Sequence, residues 1–370
     1  MLKFLAAFSM SLLISVQSFG QVYTNKSFSK IDPDSMKAKE YPYVLPIWGE
    51  KAAKKGFELP YSAGVSLSYI WQESDLVIEN LQVGFNNGPM VNLDENIRFD
   101  NAVSEASGVN FRPDIWLFPF LNVYGLFVKA KTSTTIDAGV WLPDSANNWS
   151  EVTSFSSKAE FDATSFGFGL TPTMGISGIW MALDMNCLWT DVSALNDPVF
   201  TFVFAPRFGK TFNFKKPGRN IAVWVGGFRL KFSSNTEGSL NLSEVLPLEG
   251  AQEKVDQGFA RVEEAWTEVQ SWWNALTPDE KLDPANIARY NAATRAITAA
   301  DELLTGMDGA LSNAETATVQ YTLDKYPATM WNLVVGSQFQ LNKNWMVRAE
   351  AGFLGDRTQF IAGIQYRFGL

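Results

Sequence analysis

The chain has 370 residues, 46% of them hydrophobic and 14% aromatic, with a formal net charge of −9, one cysteine and no histidine. A single cysteine excludes an internal disulfide. The missing histidine excludes histidine general bases, Ser-His-Asp triads and histidine-ligated metals, so the composition points away from an enzyme and implies no cofactor and no metal site.

The first twenty residues carry an export pattern. Lys3 precedes a mostly apolar run from Phe4 to Val16, and Ser18-Phe19-Gly20 offers small residues at a cleavage site. This predicts a cleaved signal peptide over 1–20. The run is too short for a membrane helix, which needs ~20 apolar residues. Residues 21–61 read as a periplasmic lead-in. Pro46 to Phe57 suggests a short helix with Lys51, Lys54 and Lys55 on its polar side. The segment is either a tether across a barrel base or a plug in its lumen.

From residue 62 the pattern changes to alternation. Strands are expected at about 62–84, 107–118, 120–142, 150–173, 176–192, 197–214, 219–235, 326–341, 344–354 and 358–370. A mean hydropathy of −0.06 is what alternation gives a transmembrane barrel. In the clearest strand, Phe200, Phe202, Phe204, Phe208, Phe212 and Phe214 share one face. Thr201, Val203, Ala205, Arg207, Thr211 and Asn213 share the other. Ile179, Met181, Leu183, Met185, Cys187 and Trp189 form a second apolar face, which directs Cys187 to lipid. In 219–235, Ile221, Val223 and Val225 face outward, and the apolar parity then moves to Phe228, Leu230 and Phe232. A β-bulge at Gly226-Gly227 would produce that switch.

Outer-membrane barrels have an even number of strands and short periplasmic turns. Short turns fall at 215–218, 341–344 and 173–175, and at the Phe118-Pro119 corner. One tall first strand gives ten strands in all, whereas a hairpin at Gln72 to Asp75 gives eleven. The expected fold is therefore all-β: an antiparallel transmembrane β-barrel of about ten strands, with twelve as the alternative. Residues 62–235 and 326–370 form it, and an α-helical hairpin is inserted.

If Phe and Leu face lipid, the opposite face carries Arg112, Asp114, Asp184, Arg207, Arg229, Lys231, Arg348, Glu350 and Arg367. A ten-stranded lumen is narrow. Mixed charges predict a closed network, with Arg112, Arg207, Arg348 and Arg367 paired to Asp114, Asp184 and Glu350. They do not make the one-sign ring of a selective ion path. Trp71, Trp116, Trp141, Trp189, Trp224, Trp331 and Trp345 are candidates for an interfacial girdle. Asn92 to Asn96 has calcium-like oxygens but lacks the glycine and spaced acids of an EF-hand loop, so it reads as a solvated acidic loop.

The insertion at 236–325 is expected outside the cell. Val255, Phe259, Val262, Trp266, Val269, Trp273 and Leu276 recur at spacings of four and three, an apolar helical stripe. Asp283-Pro284 supplies an N-cap and first-turn proline for a second helix carrying Ile287, Tyr290, Ile297, Leu304, Met307 and Leu311. The segment holds sixteen Asp or Glu against six Lys or Arg, a net of −10, so the acidity of the chain resides here. It would favour a basic extracellular partner, with an effect that weakens as salt rises. The alternative is a lid that packs Trp266 and Trp273 over the barrel mouth.

In the last strand Phe360, Ala362, Ile364, Tyr366, Phe368 and Leu370 point one way, and Gln359, Gly363, Gln365 and Arg367 the other. Gly363-x-x-Tyr366-x-Phe368 resembles the C-terminal signal of Gram-negative outer-membrane barrels. The stretch Arg112-Pro113-Asp114-Ile115-Trp116-Leu117-Phe118-Pro119-Phe120-Leu121-Asn122-Val123-Tyr124-Gly125 resembles an uncharacterised exported barrel family. These resemblances imply a barrel in the outer membrane of a Gram-negative bacterium, with the lipid bilayer and the barrel-assembly machinery as partners. They imply no nucleic acid partner and carry over no catalytic residue. The function expected is a structural or surface-interaction role, with a narrow channel or transporter for a small solute as the alternative.

Overall fold

The computed structural model describes residues 25–26 and 41–370, apart from 145, 147, 177, 193–197, 217, 233–234 and 246–247. The signal-peptide reading of 1–20 lies outside the described residues, as does most of 21–40.

Twelve strands longer than two residues follow in chain order: β1 Ala63–Phe85, β2 Ile97–Phe118, β3 Leu121–Pro143, β4 Trp149–Ile176, β5 Ile179–Val192, β6 Val199–Asn213, β7 Asn220–Phe232, β8 Asn235–Asn241, β9 Thr318–Pro327, β10 Trp331–Gln340, β11 Trp345–Phe353 and β12 Arg357–Phe368. Ten of them, β1 to β7 and β10 to β12, form a closed antiparallel barrel. Closure is made by β1, which pairs with β2 from Ala63↔Ile115 to Asp75↔Val103 and with β12 from Ala63↔Phe368 to Ser74↔Arg357. Within these ten strands a closed ladder leaves no free edge. The first segment is one tall strand, not a hairpin, and the count is ten.

The strands are unequal in height. β11 and β12 end where Arg357 meets Ser74, whereas β1 runs on to Phe85. The upper part of β1 pairs instead with β9, and β9 pairs with β8. Residues 236–325 are therefore not wholly helical: their two ends extend the barrel wall. Between them lie α2 Ala251–Ala275 and α3 Pro284–Leu311, while α1, Gly49–Lys54, sits near the N-terminus. Asp283 caps α3 by accepting from the Ala285 N–H at 2.9 Å. β2 also begins ten residues earlier than its alternation suggested, at Ile97.

The exterior divides into two zones. Near the short turns it is apolar: Leu67, Tyr69, Phe111, Phe127, Phe166, Phe168, Phe208, Val225, Val347, Phe360 and Ile364 are all exposed. Higher up it is polar, with Lys129 and Lys131 on β3, Glu160 and Asp162 on β4, and Lys231 on β7. The interior does the reverse. On β3, Asn122 and Tyr124 face the lower lumen, and Leu126, Val128, Ala130, Ile136 and Ala138 face the upper one. Leu188, Val203, Ala205, Phe228, Leu230, Val334 and Ile361 join them in one apolar core.

This inversion corrects two expectations on β7. The ladder passes Gly226 without a bulge: Gly226 pairs with Arg207 and Arg229 with Phe204 in the same register. Phe228 and Leu230 are completely buried inside. Arg229 and Lys231 are therefore outside the barrel, not in the lumen. Parity never changes along the strand; its surroundings do.

The described lead-in lies against the rim at the short-turn end. Val44 donates to the Leu370 carbonyl and Ile47 to that of Leu117, both at 2.9 Å. Trp48 packs on Phe118 and Phe120, with ring centroids 5.0 and 6.4 Å away.

Candidate functional site

The lower lumen is filled by charged side chains from five strands. Arg207 of β6 holds Asp184 of β5 in an ion pair and Glu350 of β11 in a two-pronged one, at 2.8 and 3.1 Å. Glu350 also accepts from Arg348 Nη2 at 3.0 Å and from the Trp224 indole N–H at 2.6 Å. The Arg348 guanidinium lies 4.4 Å from the centroid of that same indole. Thr171 donates its hydroxyl to Asp184.

A second centre is Asp114 of β2. It accepts from Arg367 at 2.9 Å, Gln365 at 2.7 Å and Asn122 at 2.8 Å. Arg112 donates to the Asn122 carbonyl oxygen at 2.7 Å and stacks 3.8 Å from the centre of the Tyr124 ring. The Tyr124 hydroxyl donates to Asn186 at 2.6 Å. Gly169 makes room for this pair, because a Cβ there would strike both Tyr124 and the Asn186 amide.

The predicted residues Arg112, Asp114, Asp184, Arg207, Arg348, Glu350 and Arg367 all face this interior. Their exposure is 6% or less. Arg229 is the exception: it lies outside with a nitrogen 3.9 Å from the Met330 sulfur.

Sequence reasoning did not identify Asn122, Tyr124, Thr171, Asn186, Trp224 and Gln365 as members. Parity could have found them. Asn186 stands two residues after Asp184, and Gln365 two before Arg367. Trp116 and Trp224 were girdle candidates, yet both point inward, at 1% and 6% exposure. Each belongs to the inward parity of its strand, and Trp224 lies over Gly336, where there is no side chain to displace it. Trp331 and Trp345 are exposed on the exterior.

Above the apolar core the helical hairpin completes the closure. Ala251, Ala310 and Leu311 belong to the same apolar cluster as the barrel interior. Higher on the hairpin, Val262 and Val269 of α2 pack on Ala293, Ile297 and Ala300 of α3 and on Leu142 of the rim. In the predicted stripe Val255, Val262 and Val269 are buried, and Phe259, Trp273 and Leu276 are half-buried. Trp266 is 39% exposed. Trp273 stacks on Tyr290 at 4.4 Å, so it braces the hairpin instead of covering the mouth.

The acidic loop holds the hairpin in place. Asn96 donates to the Ala296 carbonyl at 3.0 Å, Glu95 pairs with Arg295 at 3.3 Å, and Asp94 accepts from the Leu81 N–H at 2.7 Å. Glu95 and Asn96 thus dock the hairpin, and Asp94 ties the loop to β1. Among the described residues no cluster of potential metal ligands occurs.

At the C-terminus, Tyr366 and Phe368 project from the apolar belt, and the Tyr366 ring lies 4.8 Å from that of Trp345. The Gly363 position is backed by Ser68 and the Leu67 carbonyl of β1, with no room for a side chain.

No family model matches the chain, and no curated protein matches it either. Among solved structures it is similar to the beta domain of the Bordetella autotransporter BrkA, at 9% identity and a TM-score of 0.35, over 83% of this chain and 100% of that one. It is similar to the transport unit of the autotransporter AIDA-I from Escherichia coli, at 8% identity and a TM-score of 0.31, over 83% and 90%. It is also similar to a FadL homologue from Pseudomonas aeruginosa, at 8% identity and a TM-score of 0.26, over 88% and 96%. Likenesses this slight bear on neither activity nor ligand.

Proposed function

We propose that this chain is an outer-membrane barrel with a closed lumen whose working part is the acidic helical hairpin, held at the cell surface as an interaction element. One observation carries this reading. Ion pairs fill the lower lumen, an apolar core fills the upper one, and the hairpin stands on top of both. A barrel so filled anchors and displays.

The location rests on the exterior. The exposed belt from Leu67 to Phe360 is apolar all round, as a lipid-facing surface must be. Short turns gather at the end where the C-terminus lies, and in outer-membrane barrels that end is periplasmic. The hairpin then faces outward. Tyr366 and Phe368 are exposed on the belt, which supports reading them as a signal for the barrel-assembly machinery.

The hairpin exposes Glu253, Asp256, Glu263, Glu264, Glu268, Asp301 and Glu302. A predominantly acidic surface favours a basic partner and speeds its encounter, at a rate that falls with ionic strength. A lipid-anchored display protein needs no catalytic group, and no residue here is assigned one.

An epitope tag inserted between Lys281 and Leu282, at the exposed turn of the hairpin, tests the orientation. Antibody labelling of intact cells is the expected result. Labelling seen only after lysis would invert the topology and remove the surface-interaction reading.

A further inference from the structure

An open cavity of about 390 Å³ lies between α1 and the barrel rim at the short-turn end. Cavities of roughly 300–1,000 Å³ are the size that holds small ligands. Trp48, Phe57, Phe120 and Met174 give this one apolar walls, and Lys51 and Lys55 line it as well. The hydrogen bond from Ile47 to Leu117 and the packing of Trp48 on Phe118 and Phe120 fix α1 in place beside it.

The charge at the cavity is of one sign. Lys51 and Lys55 are four residues apart, so they share one side of α1, and both are exposed. Among the described residues no acidic side chain lines the cavity. The acid of α1 itself, Glu50, is taken by Lys54, which does not line it. A lysine ammonium offers donors only and binds phosphate as a point charge.

The apolar walls continue the belt. Phe166 and Phe168 are exposed on the outer face of β4, and Met174 has the same parity and is exposed at the end of that strand. Phe120 is exposed at the neighbouring turn, and Val44, Ile47 and Trp48 are exposed on the lead-in. Apolar side chains beside a lysine-bearing face are the make-up of a helix lying in a membrane interface, where tryptophan also gathers. We propose that this cavity binds one anionic phospholipid from the leaflet beside the short turns, with its phosphate on Lys51 and Lys55 and its glycerol and upper acyl chains on Phe120 and Met174. The proposal rests on the reading of the belt as lipid-facing, and not on which side of the membrane the hairpin occupies. A lysine beside anionic lipid tightens binding roughly fivefold, and two of them about thirtyfold.

The experiment is native mass spectrometry of the full chain in non-ionic micelles, titrated with phosphatidylglycerol and, separately, with phosphatidylcholine of the same acyl chains. The expected result is retention of one phosphatidylglycerol at a concentration at least tenfold below that needed for phosphatidylcholine. Lys51→Gln with Lys55→Gln should abolish that difference, and Lys54→Gln should leave it intact. Met174→Gln alters no charge and should weaken retention too, because it breaks the apolar wall. An equal loss in Lys54→Gln would reduce the effect to diffuse surface charge and overturn the site. Equal binding of free glycerol 3-phosphate would make the ligand a soluble one and overturn the lipid assignment. Insertion of the refolded chain into phosphatidylcholine vesicles separates the two readings. A chain that inserts but shows no preference for phosphatidylglycerol removes this site alone, and a chain that does not insert removes the membrane reading and the site with it.

Discussion

The lower and upper halves of this barrel are built from the same strands and obey opposite rules. Below, apolar side chains face out and charges face in. Above, lysines and acids face out, and leucine, valine and phenylalanine face in. β7 shows both on one strand: Val225 is exposed outside and Trp224 buried inside, then Lys231 is exposed outside and Leu230 buried inside. The ladder is continuous across the change. What changes is the medium beyond the wall, lipid below and water above, and each face takes the side chains that medium tolerates. Strand parity sets the side; the solvent sets the chemistry.

The largest effect expected from breaking the lower rule comes from Glu350→Ala. It strips partners from Arg207, Arg348 and Trp224 at once. Removing one member of a buried pair costs about 3–5 kcal/mol, because the other charge is left unpaired. The unfolding transition, followed by heat-modified mobility on gels, should fall accordingly. An unchanged transition would mean that Glu350 is bathed in water and the lumen open.

The upper rule is tested by Leu230→Ala, which leaves a cavity in the apolar core and should cost about 2–5 kcal/mol. The same method reads it. A loss below about 0.5 kcal/mol, the range of ordinary surface changes, would mean that Leu230 is not packed.

A pair on the outer face of β7 compares the two media directly. Val225→Lys places a charge in the apolar belt and should cost about 2–4 kcal/mol at mid-depth. Lys231→Leu, three periods of the alternation higher, should stay within about 0.5 kcal/mol. Equal costs at the two sites, measured by denaturant unfolding in lipid vesicles, would remove the boundary drawn between them.

The sequence made the ladder legible because one face of each strand in the belt is nearly pure. Phe200 to Phe214 and Phe360 to Phe368 could be oriented on inspection, and the single tall first strand followed from the even count. The seven lumen charges that lie between such residues followed too. Arg229 did not, because hydrophobic alternation says which residues share a face and not which face meets lipid. Where lipid gives way to water the assignment reverses with no residue inserted, and the sequence carries no mark of the crossing. Trp116 and Trp224 were misplaced for a related reason. An indole suits a membrane interface, and it equally suits a dry lumen, where Glu350 accepts the Trp224 N–H.

Single-channel recording in planar bilayers tests the closed lumen most directly. The account predicts a silent membrane from the folded, inserted protein, since ion pairs, apolar core and hairpin block the path in series. Stable conductance steps that disappear on substitution of Arg207 or Arg348 would contradict it, and would make the barrel a channel.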